Sequence, residues 1–184
     1  MSDPDEADLI AASHTTPAAF VILYERYVDR IYGFCLRRTR DDALARDITS
    51  ATFEKALVSL RKYQWRGVSF GAWLYKIARN EIAQYYRRHF WLPLLDRYQS
   101  DQDVEQVVQI NEQNTALYAA LEKLSSADRD VITLRYFESL SSVEVAEILG
   151  CSVENVYLRL HRALSRLRHQ LETQESNKVN YVHE

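Results

Sequence analysis

FGAWLYKIARNEIAQYYRR, running from Phe70 to Arg88, is the stretch on which the reading of this chain turns. Leu74, Ala78, Ile82 and Tyr85 recur at helical spacing and form a core-facing stripe. Trp73, Lys76, Ile77, Asn80, Gln84 and Arg87 follow the opposite side. A merely solvated face rarely sets Trp and Ile beside Lys, Asn, Gln and Arg. Such a mixture suits a surface that meets nucleic acid. Rings stack on unpaired bases, amides read base edges, and cations hold the phosphate backbone. The plainer alternative is an amphipathic helix whose aromatic residues all belong to the core. This stretch alone leaves both readings open, and the rest of the chain favours the first.

Working outward, the same helical period dominates. Pro17 suits the first position of a helix, where its missing N–H is not needed. Phe20, Leu23, Tyr24, Tyr27, Ile31, Phe34 and Cys35 then give a buried stripe, with Gly33 placed to permit close helix packing. Asp41 or Asp42 can cap a next helix carrying Ala45, Ile48, Thr52, Phe53, Ala56, Leu57 and Leu60. Residues 61–69 read as a loop, and Ser69 caps the helix that begins at Phe70. Residues 1–16 carry acids, Ser, Thr and Pro without an apolar period and read as flexible.

Downstream of this first unit the character changes. Residues 91–114 are broken by Pro93, Asp96, Ser100, Asp101 and Asp103 and read as an acidic linker. A second helical unit follows at 115–172. Leu117, Ala120, Leu121 and Leu124 share one helix, and Ser126 or Asp128 can cap another. Ser141 opens a short helix, Gly150-Cys151-Ser152 turns, and a longer helix runs from Val153 to about Leu171, followed by a frayed polar tail. That order is the pattern of a helix-turn-helix. On the last helix Val153, Val156, Leu160, Leu164 and Leu167 are expected in the core. Asn155, Leu158, Arg159, Arg162, Ser165 and Arg166 are expected to face outward. Arg can pair with guanine through two hydrogen bonds, and Asn with adenine.

Composition and charge narrow the function. The chain has 184 residues, 47% of them hydrophobic, with only four Gly and three Pro. That favours packed helices over a turn-rich β architecture. The fold class expected is all-α: two small helical domains at 17–90 and 115–172, joined by the acidic linker 91–114. No apolar run reaches the length of a membrane span, and the acidic N-terminus lacks the features of a signal peptide, so a cytoplasmic location is expected. Cys35 and Cys151 stand alone and read as reduced thiols. No metal site, cofactor or catalytic group is expected, because no phosphate loop, ligand cluster or nucleophile elbow occurs. The net charge of −3 conceals two basic regions. Residues 18–90 hold 14 Lys+Arg against 7 Asp+Glu, and Tyr157–Arg168 holds four Arg and no acid. Two separate basic patches fit a protein that grips DNA at two places.

Two blocks of sequence carry a more specific likeness. The first contains Phe20-Val-Ile-Leu-Tyr-Glu-Arg-Tyr27, Ala45-Arg-Asp-Ile-Thr-Ser-Ala-Thr-Phe53 and Trp73-Leu-Tyr-Lys-Ile-Ala-Arg-Asn80. The second contains Asp130-Val-Ile-Thr-Leu-Arg-Tyr-Phe137, Ser141-Ser-Val-Glu-Val-Ala-Glu-Ile-Leu-Gly150 and Arg159-Leu-His-Arg-Ala163. In this order, over about 18–90 and 115–172, they resemble the group IV, or extracytoplasmic-function, sigma factors of bacterial RNA polymerase. These are two-domain members of the sigma-70 family.

The resemblance implies a division of labour. Asp47, Ile48, Phe53 and Lys55 would dock on the clamp helices of the polymerase β′ subunit, with core packing the competing role for Ile48 and Phe53. Tyr63, Trp65 and Arg66 would hold a flipped base of the −10 element. Trp73, Lys76, Arg79, Asn80, Gln84, Arg87 and Arg88 would follow the non-template strand, with a wholly structural Trp73 the alternative. Ser152, Asn155, Tyr157, Leu158, Arg159, Arg162 and Arg166 would read the −35 element. Core polymerase, through β′ clamp helices and β flap, and promoter DNA are the implied partners, with an anti-sigma factor an optional third. The chain departs from the family pattern at Arg46 and Ser50, at Gln84, and over Glu154–Leu158. Competing classes are a stand-alone helix-turn-helix regulator, which the aromatic and basic first block disfavours, and a helical interaction protein. An enzyme fits least.

Overall fold

A computed structural model of the chain describes residues 5–63, 68–90 and 112–180. All regular structure among them is helical. The chain divides into two compact units. The first holds α1 (Glu6–Ser13), α2 (Pro17–Thr39), α3 (Asp42–Ser59), a 3-10 turn (Leu60–Lys62) and α4 (Phe70–Phe90). The second holds α5 (Glu112–Glu122), α6 (Ser126–Ile132), a π-helical turn (Thr133–Phe137), α7 (Ser142–Leu149) as far as Ala146, and α8 (Val153–Asn180).

In the first unit α2 packs against α1, α3 and α4, and α3 packs against α4. Pro17 occupies the start of α2 as expected, and Asp41 caps α3 by accepting from the Leu44 N–H at 2.9 Å. Leu23, Ile31, Phe34, Phe70, Leu74 and Tyr75 are fully buried between the helices. Each such side chain contributes about 1.5–3 kcal/mol of burial. Phe34 and Tyr75 meet edge to face with ring centroids 5.3 Å apart. Leu74, Ala78 and Ile82 form the expected buried stripe of α4, whereas Tyr85 is half-buried and stacks on His89.

The structure corrects several expectations in this unit. Residues 6–13 form a helix that buries Leu9 and Ile10, so the segment 1–16 is not wholly flexible. Phe20 is half-buried and Tyr24 exposed, at the edge of the α2 stripe. Leu57 is 53% exposed, and Thr49 takes a buried place on α3 instead. Close packing belongs to Gly71, not Gly33. A Cβ at Gly71 would come within 2.5 Å of Tyr27 Cε1, whereas the nearest neighbour of one at Gly33 is the guanidinium of Arg37 on its own helix, at 3.3 Å.

In the second unit α8 packs on α5 and α6. Ser125 caps α6 through the Asp128 N–H, one residue before the capping position read from the sequence. Ser141 and Glu144 form a reciprocal capping box on α7. Gly150 ends α7 at φ 64°, a left-handed conformation that glycine adopts without cost, and Cys151 N–H closes on the Ala146 carbonyl at 3.0 Å. The core side of α8 is Val156, Ala163 and Leu167, with Val153 and Leu160 half-buried. Leu164 is 37% exposed because Ala163, beside it, points inward. The helix continues to Asn180, past the frayed tail expected after Glu172. Most of the expected linker, residues 91–111, lies outside the described residues.

Candidate nucleic-acid and protein interfaces

On α4 the buried stripe turns the remaining side chains outward. Asn80, Arg87 and Arg88 are exposed, and Lys76, Ile77, Arg79 and Gln84 are half-exposed. The face therefore offers amide and cationic groups along one side of a helix whose other side is anchored in the core. Trp73 is half-buried and belongs to an aromatic cluster. Its ring lies 4.4 Å from Tyr63 and 5.3 Å from Phe70, and Tyr63 and Phe70 are 5.6 Å apart. Partial exposure and packed neighbours give Trp73 a structural role while leaving part of its ring at the surface. Burial, and then the negative charge of Glu6, push the Tyr63 phenol up to about 12, so it remains a neutral hydroxyl at physiological pH. Trp65 and Arg66 lie outside the described residues.

The α3 set separates into two layers. Ile48 and Phe53 are buried, Phe53 against the Tyr24 ring at 4.7 Å, which is the core-packing role the sequence leaves open for them. Asp47 and Lys55 are exposed. Lys55 also ion-pairs with Glu81 of α4 at 2.5 Å, tying the two helices at their surface. The departure at Arg46 has a local partner: its Nε donates to Asp42 at 2.9 Å, and the Tyr32 hydroxyl donates to the same carboxylate. Those hydrogen bonds, Arg46's first, hold the Asp42 carboxyl below its ordinary range.

In the second unit Ser152 Oγ accepts from the Asn155 N–H at 3.3 Å and starts α8 cleanly at the turn. Asn155, Tyr157, Leu158 and Arg162 are exposed, with Arg159 half-exposed beside them. Tyr157 and Leu158 are 58% and 57% exposed and adjacent on one turn of the helix. The face thus carries apolar, amide and guanidinium groups together, which complement the thymine methyls, the base-edge donors and acceptors, and the phosphates that line a major groove. Arg166 is different from its neighbours: its Nη1 is 2.5 Å from Asp128 Oδ2 on α6.

The sequence reading missed Glu6, whose carboxylate accepts from the Tyr27 hydroxyl and from the Phe70 N–H. The available signal was an acidic helix start before Leu9-Ile10. No group of His, Cys, Asp and Glu suited to a metal ion occurs among the described residues. No helix among them is long and apolar enough to cross a membrane.

Comparison with known proteins adds an independent line. Family models match at residues 23–92, described as Sigma-70 region 2, and at residues 114–167, described as Sigma-70, region 4. The chain is 33% identical over 158 residues to the ECF RNA polymerase sigma factor BldN of Streptomyces coelicolor, covering 81% of this chain and 60% of BldN. It is 32% identical over 153 residues to the RNA polymerase sigma factor YlaC of Bacillus subtilis, covering 79% of this chain and 88% of YlaC. Among solved structures, its fold is like that of the sigma factor RpoE from Bartonella quintana, solved with the anti-sigma factor NepR. The TM-score is 0.69 at 24% identity, over 83% of this chain and 96% of that one.

Proposed function

Because the chain belongs to the sigma-70 family, among the extracytoplasmic-function RNA polymerase sigma factors, we propose the following division of roles. The region 17–90 binds core polymerase and the −10 element, 91–114 links, and 115–172 binds the −35 element. The protein acts in the cytoplasm and is not itself an enzyme, since the polymerase supplies the nucleotide chemistry. Asp47 and Lys55 on the exposed side of α3 meet the β′ clamp helices, supported from beneath by Ile48 and Phe53. Tyr63, Trp65 and Arg66 receive an unpaired base, while Trp73, Lys76, Arg79, Asn80, Gln84, Arg87 and Arg88 run along the non-template strand. Ser152, Asn155, Tyr157, Leu158, Arg159 and Arg162 enter the −35 major groove, with Arg166 at its margin. The β flap is the second polymerase contact, and an anti-sigma factor is a further partner by family likeness.

The observation that carries this reading is the two-sided build of α8. Val156 and Ala163 are fully buried, while Asn155, Tyr157, Leu158 and Arg162 stand exposed behind the Ser152 start. Transcription reconstituted from core polymerase, this chain and a genomic promoter library tests it. The expected result is initiation from a small set of promoters sharing two spaced elements. A chain that binds DNA specifically but neither co-purifies with core polymerase nor starts transcripts would be the stand-alone regulator instead.

A further inference from the structure

Glu6 joins the beginning of α1 to the beginning of α4. Its Oε2 accepts from the Phe70 N–H at 2.9 Å. Phe70 is the first residue of α4, so this N–H has no carbonyl within its own helix to reach. The carboxylate also lies at the positive end of the helix dipole. The other oxygen, Oε1, accepts from the Tyr27 hydroxyl. The Tyr27 ring in turn lies against Gly71, where any Cβ would approach it to 2.5 Å, and 6.0 Å from the Phe70 ring. Phe70 then contacts Tyr63 and Trp73, completing the aromatic cluster. The carboxylate is delivered by a helix seated through buried Leu9 and Ile10, so its position is set by packing and not by a free tail.

We infer that Glu6 is a positioning residue for −10 strand capture, holding the first turn of α4 and the Tyr63–Phe70–Trp73 cluster in the pose that meets the unpaired strand. The inference rests on the −10 assignment made under Proposed function. Its effect is local. Beyond the first turn, α4 is held independently by fully buried Leu74, Tyr75 and Ala78. Asn80 and Arg87 lie about 15 and 25 Å further along the helix axis and keep their places when the first turn loosens.

The test uses holoenzyme assembled with the full chain and a single-stranded oligonucleotide carrying the −10 sequence of a promoter selected from the library. Glu6→Ala is expected to lower affinity for this strand on the order of tenfold, equivalent to about 1.4 kcal/mol of binding. Glu6→Gln keeps one acceptor oxygen and falls between. Combined with Trp73→Ala, the loss is less than additive, because both act through one cluster. Combined with Arg87→Ala, it is additive. Ala56→Gly, in the buried part of α3, lowers stability without touching the cluster and leaves strand affinity unchanged. The inference is overturned by unaltered affinity in Glu6→Ala, by additivity with Trp73→Ala, or by an equal loss in Ala56→Gly. If neither Trp73→Ala nor Arg87→Ala weakens strand binding, the −10 assignment itself fails.

Discussion

Arg166 of α8 and Asp128 of α6 form an ion pair at 2.5 Å in which the guanidinium is 60% exposed and the carboxylate only 10%. A residue counted on the DNA-facing side of α8 is therefore also a brace between helices. Arg166→Ala strips a nearly buried carboxylate of its cation and is expected to cost about 1–2 kcal/mol, less than a fully buried pair because one partner is wet. Asp128→Asn should cost a similar amount while leaving −35 binding intact, since Arg166 is then released toward phosphate. Urea denaturation of both variants, with promoter binding across a salt series, separates brace from phosphate contact. Unchanged stability in both would show that the pair contributes nothing.

The exposed face of α8 yields a base-specific expectation. Asn155→Ala and Arg159→Ala should each cost on the order of 1–3 kcal/mol and relax preference at one or two −35 positions. Leu158 has no hydrogen-bonding group, so its contribution must come from apolar contact, and the apolar group of the major groove is the thymine methyl. Replacing single −35 thymines by deoxyuridine should weaken wild-type binding at one position, and Leu158→Ala should abolish that sensitivity. A promoter on which wild type and Leu158→Ala respond identically to every replacement would remove Leu158 from base reading.

For core polymerase, Asp47 is the cleaner probe. Lys55→Glu would set a second carboxylate beside Glu81, 2.5 Å from the present ammonium, and mix a folding effect with a binding one. Asp47 is exposed on α3, one position from buried Ile48. Asp47→Arg should retain helical circular dichroism and lose core affinity on the order of tenfold, the lower range for reversing a charge at an interface. Normal binding of the folded variant to core polymerase would take this face out of the interface.

What the sequence showed and what it hid follow from the reach of a periodic signal. Pro17, Asp41, Ser141 and Gly150 act on their own backbone, so their roles as helix starts and stops were readable by inspection. The face of α4 was readable because Leu74, Ala78 and Ile82 repeat strictly. On α8 the small Ala163 hides among leucines, and the leucine period points to Leu164 as the buried residue in its place. For Glu6 only the acidic helix start is local; its partners, Tyr27 and Phe70, lie 21 and 64 residues away, beyond any periodic signal. The brace from Arg166 to Asp128 spans 38 residues and is equally nonlocal. The π-helical turn at Thr133–Phe137 has no composition of its own; it is set by the Glu138 N–H reaching back to the Thr133 carbonyl at 3.0 Å.

The two helical glycines of the first unit make opposite predictions. Gly33 lies inside α2, and its added Cβ would first meet the guanidinium end of the flexible Arg37 side chain, at 3.3 Å. Gly33→Ala should therefore be neutral or stabilise by about 0.5–1 kcal/mol, the ordinary gain of alanine over glycine in a helix. Gly71→Ala places its methyl 2.5 Å from Cε1 of Tyr27, a ring held by its hydrogen bond to Glu6 and by Phe70. Neither the ring nor α4 can yield without disturbing the other, and the overpacking should cost about 1–3 kcal/mol. The strain falls at the first turn of α4, so Gly71→Ala should also weaken binding to the −10 strand. Binding of the −35 element should be unaffected, because no residue assigned to it belongs to α4. Thermal unfolding of both variants, together with binding to separate −10 strand and −35 duplex probes, checks the contrast. Equal stability of Gly71→Ala and Gly33→Ala would mean that Tyr27 and α4 are not in close contact in solution.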